Sequence, residues 1–206
     1  MEKIEESIQY LKGASSIETQ TFKLYETLSK KVNHPESSYI LSFGYDSIKN
    51  AKILQSIIQT VDLPPENNEA KKNVSLLASE VYTFSRKIEK INSIDNSTLI
   101  EIFKELIHLE DLVSNLYTEY LESSYLKVLI NEMSELVAMD FDSFKKIFEC
   151  FIAEKQRHRE TIIEIVYCLE AKEAGRLKTS TPVVKYQNPD SWVNHSTLNA
   201  FSNSNY

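Results

Sequence analysis

The chain has 206 residues, with 23 Lys and Arg against 30 Asp and Glu and a formal net charge of -7. That balance counts against nucleic acid as the main partner, because phosphate binding needs a basic surface. No apolar run approaches the roughly 20 residues of a membrane span, and 3 Gly and 5 Pro leave so little punctuation that long helices are favoured.

Residues 2 to about 32 read as one amphipathic helix, broken by Asn33-His34-Pro35. Its first residues are charged rather than a basic region followed by an apolar one, so no signal peptide is expected and the cytoplasm is the expected compartment. Pro35 suits the first turn of a second helix, which runs to about Val61 and stops at Leu63-Pro64-Pro65. Residues 69 to 91 form a third segment with Val74, Leu77, Val81, Phe84 and Ile88 on one side. Ser97-Thr98 offers an N-cap to a helix from about 98 to 122, which Ser123-Ser124 either interrupts or lets continue through Leu136. Asp140 or Asp142 caps a last long helix, and Gly175 supplies its stop. From 176 to 206 the chain is rich in Ser, Asn, Thr and Pro and holds the single Trp, Trp192. Val183, Val184, Tyr186 and Trp192 are its candidate anchors on the helices or on a neighbouring chain.

Two carboxylates stand out in this layout. Glu18 lies on a stripe with Ile4, Leu11, Ala14, Phe22, Tyr25 and Val32. Glu110 lies on one with Leu99, Phe103, Leu106, Val113, Tyr117 and Leu121. Spacings of three, four and seven mark the side of a helix that faces a core. A carboxylate there is costly unless it is paired or bound to a metal. Cys150 and Cys168 fall about 27 Å apart along one helix, too far to bridge each other within it. Two buried free thiols are the expectation. With no Cys-x-x-Cys in the chain, neither a zinc ribbon nor a rubredoxin-type iron centre is present.

The two halves also repeat. Ile17-Glu18 with Tyr25 seven residues on matches Leu109-Glu110 with Tyr117. Phe43-Gly44-Tyr45-Asp46-Ser47-Ile48-Lys49-Asn50 then matches Phe151-Ile152-Ala153-Glu154-Lys155-Gln156-Arg157-His158. At 100° per residue, Lys155 lies at about 40° from Phe151 and His158 at about −20°, in one arc with Phe148, Ile162 and Ile165, and Glu154 sits at the edge. Ser47 falls between Ile40, Phe43, Ala51, Leu54 and Ile58. Glu18, Ser47, Glu110 and Lys155 should therefore converge, in an all-α four-helix bundle spanning 1–175 with a crossover segment over about 62–97.

On these residues the chain resembles the ferritin-like superfamily, most closely its rubrerythrin-like branch, over most of 5–170. The resemblance implies a Glu on the first and third core helices, a Glu-x-x-His on the second and fourth, and two metal ions, usually iron. Here Glu18, Glu110 and His158 match. Ser47, Asn50 and Lys155 stand where the other three ligands belong, so the di-iron site is degenerate. Tyr25 and Tyr117 are candidate hydrogen-bond donors to the carboxylates, with Glu154 in reserve at the edge.

Three arrangements follow. No metal is bound and Lys155 pairs with the carboxylates, which is the expectation. Alternatively one iron or other divalent metal is held by Glu18, Glu110 and His158, or a dinuclear site survives by rearrangement. The first implies a structural or interaction protein that has lost di-iron catalysis; the others imply an oxidoreductase handling peroxide, oxygen or iron. A homo-oligomer is compatible with either, and the sequence names no protein partner. His34 before Pro35, His108 facing away from the Glu110 side, and His195 in the tail add no site. The basic cluster Lys71-Lys72 with Arg86-Lys87 reads as a solvated face.

Overall fold

The computed structural model describes residues 2–32, 35–60, 72–134 and 141–175. The expected anchors Val183, Val184, Tyr186 and Trp192, and the expected cap Asp140, lie outside the described residues. Within them the protein is all-α: α1 (Glu2–Ser29), α2 (Glu36–Thr60), α3 (Lys72–Lys90), α4 (Asn96–Glu122), α5 (Ser124–Ser134) and α6 (Phe141–Glu173), with no strand. No described helix is long and apolar enough to cross a membrane.

Local chemistry sets the ends of these helices. The N-cap of α4 is Asp95, upstream of the expected Ser97-Thr98. Its carboxylate accepts the Thr98 backbone N–H at 2.8 Å. A carboxylate three residues ahead of that N–H satisfies a donor the helix cannot. Ser123 has extended backbone and separates α4 from α5. Gly175 adopts φ 66° and ends α6, as the sequence leads one to expect.

Side-chain contacts give the helix directions. Ser15 on α1 donates to the Ala51 carbonyl on α2, and Gly44 on α2 lies against Phe22 and Tyr25 on α1, so α1 and α2 are antiparallel. Tyr10 donates to the Leu116 carbonyl, and Tyr25 reaches Glu110, so α4 also runs against α1. Lys104 meets Glu170, and Tyr117 packs on Phe151, so α6 runs against α4. α2 and α4 therefore point the same way, and the chain must travel back along the core between them. α3 makes that return beside α1, and at its end the carbonyls of Glu89 and Ile91 accept from Lys31. Its buried side includes Leu77, Val81, Phe84 and Ile88, as expected, and the fifth expected residue, Val74, lies outside the residues whose side chains are described.

Most of the core is shared by α1, α2, α4 and α6, and the stripes read from the sequence supply much of it: Leu11, Ala14, Tyr25, Leu54, Phe103, Leu106, Tyr117, Phe148 and Phe151 are buried, whereas Phe22, Val32, Ile58 and Leu121 are half-buried. α5 adds Leu126, Leu129 and Ile130 and packs against α1. The expectation of two buried thiols is not met. Both cysteines are free, but Cys150 is exposed and Cys168 half-buried, because both lie off the arc that carries Phe148, Phe151 and Ile162.

Candidate functional site: a buried ion-pair cluster

The four convergent positions meet in the middle of the core. Glu18 and Ser47 are 0% exposed, and Glu110 and Lys155 1%. Each sits centrally on its apolar stripe, so helix packing brings all four to one level. The Lys155 Nζ lies 2.9 Å from Glu18 Oε2 and 3.7 Å from Glu110 Oε2, and donates to Ser47 Oγ at 3.3 Å. The ammonium thus stands between the two carboxylates.

The tyrosines act crosswise. Tyr117, on the helix of Glu110, donates to Glu18 Oε1 at 2.8 Å, and Tyr25, on the helix of Glu18, donates to Glu110 Oε1. A second crosswise set joins α2 and α6. Asp46, just before Ser47, binds Arg157 at 2.9 Å and His158 Nε2 at 3.0 Å. Glu154, just before Lys155, binds Lys49 and accepts from Asn50 Nδ2 at 3.1 Å. In each half an acidic residue ahead of the core position grips the residues two and three beyond the core position of the other half. The rings repeat the pattern, with Tyr25 edge-on to Phe43 at 5.8 Å and Tyr117 tilted on Phe151 at 5.3 Å. The site has an approximate twofold arrangement, broken where Ser47 is the counterpart of Lys155 and Asn50 the counterpart of His158.

The electrostatics follow from burial and charge. Burial alone would push the Glu110 carboxyl up. The Lys155 ammonium first, and then His158, override it and hold the carboxyl at about 2. Burial works against the charge on Lys155, but Glu110 and Glu18 raise its pKa above the ordinary lysine value. His158 behaves alike: burial lowers it, and Glu110 and the Asp46 hydrogen bond more than compensate. Burial, reinforced by the adjacent carboxylates, drives the Tyr25 and Tyr117 hydroxyls far up, so both remain donors. Two carboxylates thus face two cations, and the core can close near neutrality on protein groups alone. Such a cluster is held by its mutual pairing, since each member by itself would be costly to bury.

Sequence reasoning brought Glu18, Ser47, Glu110, Lys155, Tyr25 and Tyr117 together, and the structure does so. It places His158 differently. The His158 Nε2 is turned to Asp46, and Nδ1 lies 3.5 Å from Glu110 Oε1. His158 bridges Asp46 and Glu110 rather than joining Glu18. Glu154 stays at the edge, held by Lys49 and Asn50. Asp46 was missed. Its signal lay in the matched strings, where an acid stands one place before each core position and a base two places after it.

The donor set does not fit the pair of metal ions that the ferritin-like resemblance implies. The space between Glu18 and Glu110 is filled by an ammonium, which a dication would meet at like-charge range. Among the described residues no three His, Cys, Asp or Glu side chains are grouped so as to hold a metal ion. Glu110 Oε2, His158 Nδ1 and Asn50 Oδ1 are buried without a hydrogen-bond partner. No family model matches this chain, and neither does any curated protein or solved structure.

Proposed function

We propose that this is a ferritin-like bundle of the rubrerythrin-like type that has exchanged its metal centre for a lysine–carboxylate cluster and serves as a structural or interaction protein. The observation that carries this reading is the Lys155 Nζ at 2.9 Å from Glu18 and 3.7 Å from Glu110. It occupies the place from which a bridging metal would be held. The helix directions, the return of the chain through α3, and the crosswise pairing of equivalent residues support the ferritin-like part of the reading. The loss of three of six ligand positions, at Ser47, Asn50 and Lys155, supports the loss of di-iron chemistry. What the cluster supplies instead is register: it ties all four long helices together at one level.

A second reading rests on the unspent donors Glu110 Oε2 and His158 Nδ1. With Lys155 displaced, they and Glu18 would be the first ligands of a remodelled metal centre in an oxidoreductase. Restoring the ligand set separates the two. The triple variant Ser47→Glu, Asn50→His, Lys155→Glu should be less stable than wild type without metal. It should be stabilised by ferrous iron or zinc through mass action, while wild type responds little. Strong and equal metal stabilisation of the wild type, or iron co-purifying with it, would replace the first reading by the second.

A further inference from the structure

We propose that Lys155 and Glu18 form an intramolecular isopeptide bond, an amide between Lys155 Nζ and Glu18 Cδ. The proposal rests on the metal-free reading, since a metal at this level would separate the two side chains. Four observations carry it. The nitrogen and the carboxyl group are already in contact at 2.9 Å, both fully buried in the core. The second Glu18 oxygen, Oε1, accepts from Tyr117 at 2.8 Å, which is where negative charge would gather during attack on Cδ. Glu110 Oε2 is buried, has no hydrogen-bond partner, and lies 3.7 Å from the attacking nitrogen, in place to take its proton. Finally, His158 Nδ1 lies 3.5 Å from Glu110 Oε1, so one buried cation and one buried carboxylate remain as a pair once Lys155 and Glu18 have lost their charges.

The step balances without a co-reactant. The ammonium passes one proton to Glu18 Oε2, which makes that carboxyl group neutral, and the freed lone pair forms the N–C bond to Glu18 Cδ. The carbonyl electron pair moves onto Oε1 against the Tyr117 hydroxyl, and Glu110 takes a second proton from the nitrogen. Collapse restores the carbonyl at Oε1 and expels Oε2 as Glu110 returns its proton to it, so water leaves with two of the three protons first carried by Lys155, and Glu110 ends as it began. One cation and one carboxylate become a neutral amide plus water. The ion pair is the resting state that aligns the atoms. The reactive form is its proton-transferred minority, and one turnover per molecule suffices. Burial favours the product, because a neutral amide is cheaper to hold in a core than two charges.

The test is the intact mass of the full chain, followed by peptide mapping. Wild type, folded and aged at neutral pH, should be lighter than its sequence by one water, with a branched peptide joining positions 18 and 155. Glu18→Gln should give the same linked product by losing ammonia instead. Glu110→Gln, checked for folding by circular dichroism, should link more slowly by roughly 100-fold or more. Folded wild type at its sequence mass would overturn the bond, and so would a Glu110→Gln chain linking as fast as wild type. An unlinked chain that also ignores added metal overturns the bond alone and leaves the ion-pair reading standing.

Discussion

Lys155 decides the character of the core. Its ammonium touches Glu18, Ser47 and Glu110 together. Replacing it by Met keeps the volume and removes the charge, so Glu18 and Glu110 are left in a core without their shared cation. Breaking a buried pair in this way costs on the order of 3–5 kcal/mol. The Lys155→Met chain should therefore unfold at clearly lower urea concentration than unlinked wild type, its mass checked, at neutral pH. An unchanged midpoint would mean that the ammonium is not what holds the carboxylates. The crossed tyrosines belong to the same account: each gives one oxygen of a buried carboxylate its donor, which frees the other oxygen to face the lysine.

At the scale of elements, the close approach of α1 and α2 depends on Gly44. A Cβ built there would stand 3.2 Å from Tyr25 Cβ and 3.4 Å from Phe22 Cδ2. A single methyl group presses on both, and a longer side chain has nowhere to go but between the helices. Gly44→Leu should cost about 1–3 kcal/mol by overpacking, in spite of the better helix propensity of Leu. It should also move Tyr25, and with it the Glu110 end of the cluster. Thermal denaturation with near-ultraviolet circular dichroism would show both effects. A variant as stable as wild type would show that α1 and α2 can separate freely.

For the whole molecule, the cluster in its ion-paired form, before any bond joins Lys155 to Glu18, makes stability depend on pH from both sides. The Glu110 pKa is lowered from 4.5 to about 2 on folding, behind burial that opposes the shift, by Lys155 and His158. Its contribution is complete above about 4.5 and is lost as pH falls toward 2. The His158 pKa is raised from 6.5 despite burial, by Glu110 and Asp46, so its contribution is complete below 6.5 and is lost as pH rises through the higher folded value. Lys155, raised above 10.5, adds a further loss only in strong alkali. Stability should therefore be highest between about 4.5 and 6.5 and fall on either side. Urea midpoints across pH would map this, and Glu110→Gln should flatten the acid limb. A stability that climbed steadily from pH 6.5 to 9 would contradict the placement of His158 between two carboxylates.

Much of this molecule was already determined by its sequence. Helical periodicity marked the core sides of α1, α2, α4 and α6, because a helix buries one stripe and the stripe repeats every three or four residues. The same periodicity put Glu18, Ser47, Glu110 and Lys155 at the centres of those stripes, so their convergence followed from packing alone. Gly175 marked an end that local backbone chemistry sets, whereas Ser123-Ser124 left a break or a continuous helix equally open, and the structure shows the break. Partner choice at the edge of the stripes was not legible in this way. His158 lies in the buried arc and could have turned to Glu18, Glu110 or Asp46. The spacing of α2 and α6 and the reach of Asp46 decided it. Which tyrosine serves which glutamate was likewise open, since each hydroxyl lies far along a long side chain and crosses to the facing helix. One-dimensional periodicity fixes the direction in which a residue points, whereas the distance between two side chains on different helices exists only once those helices are packed.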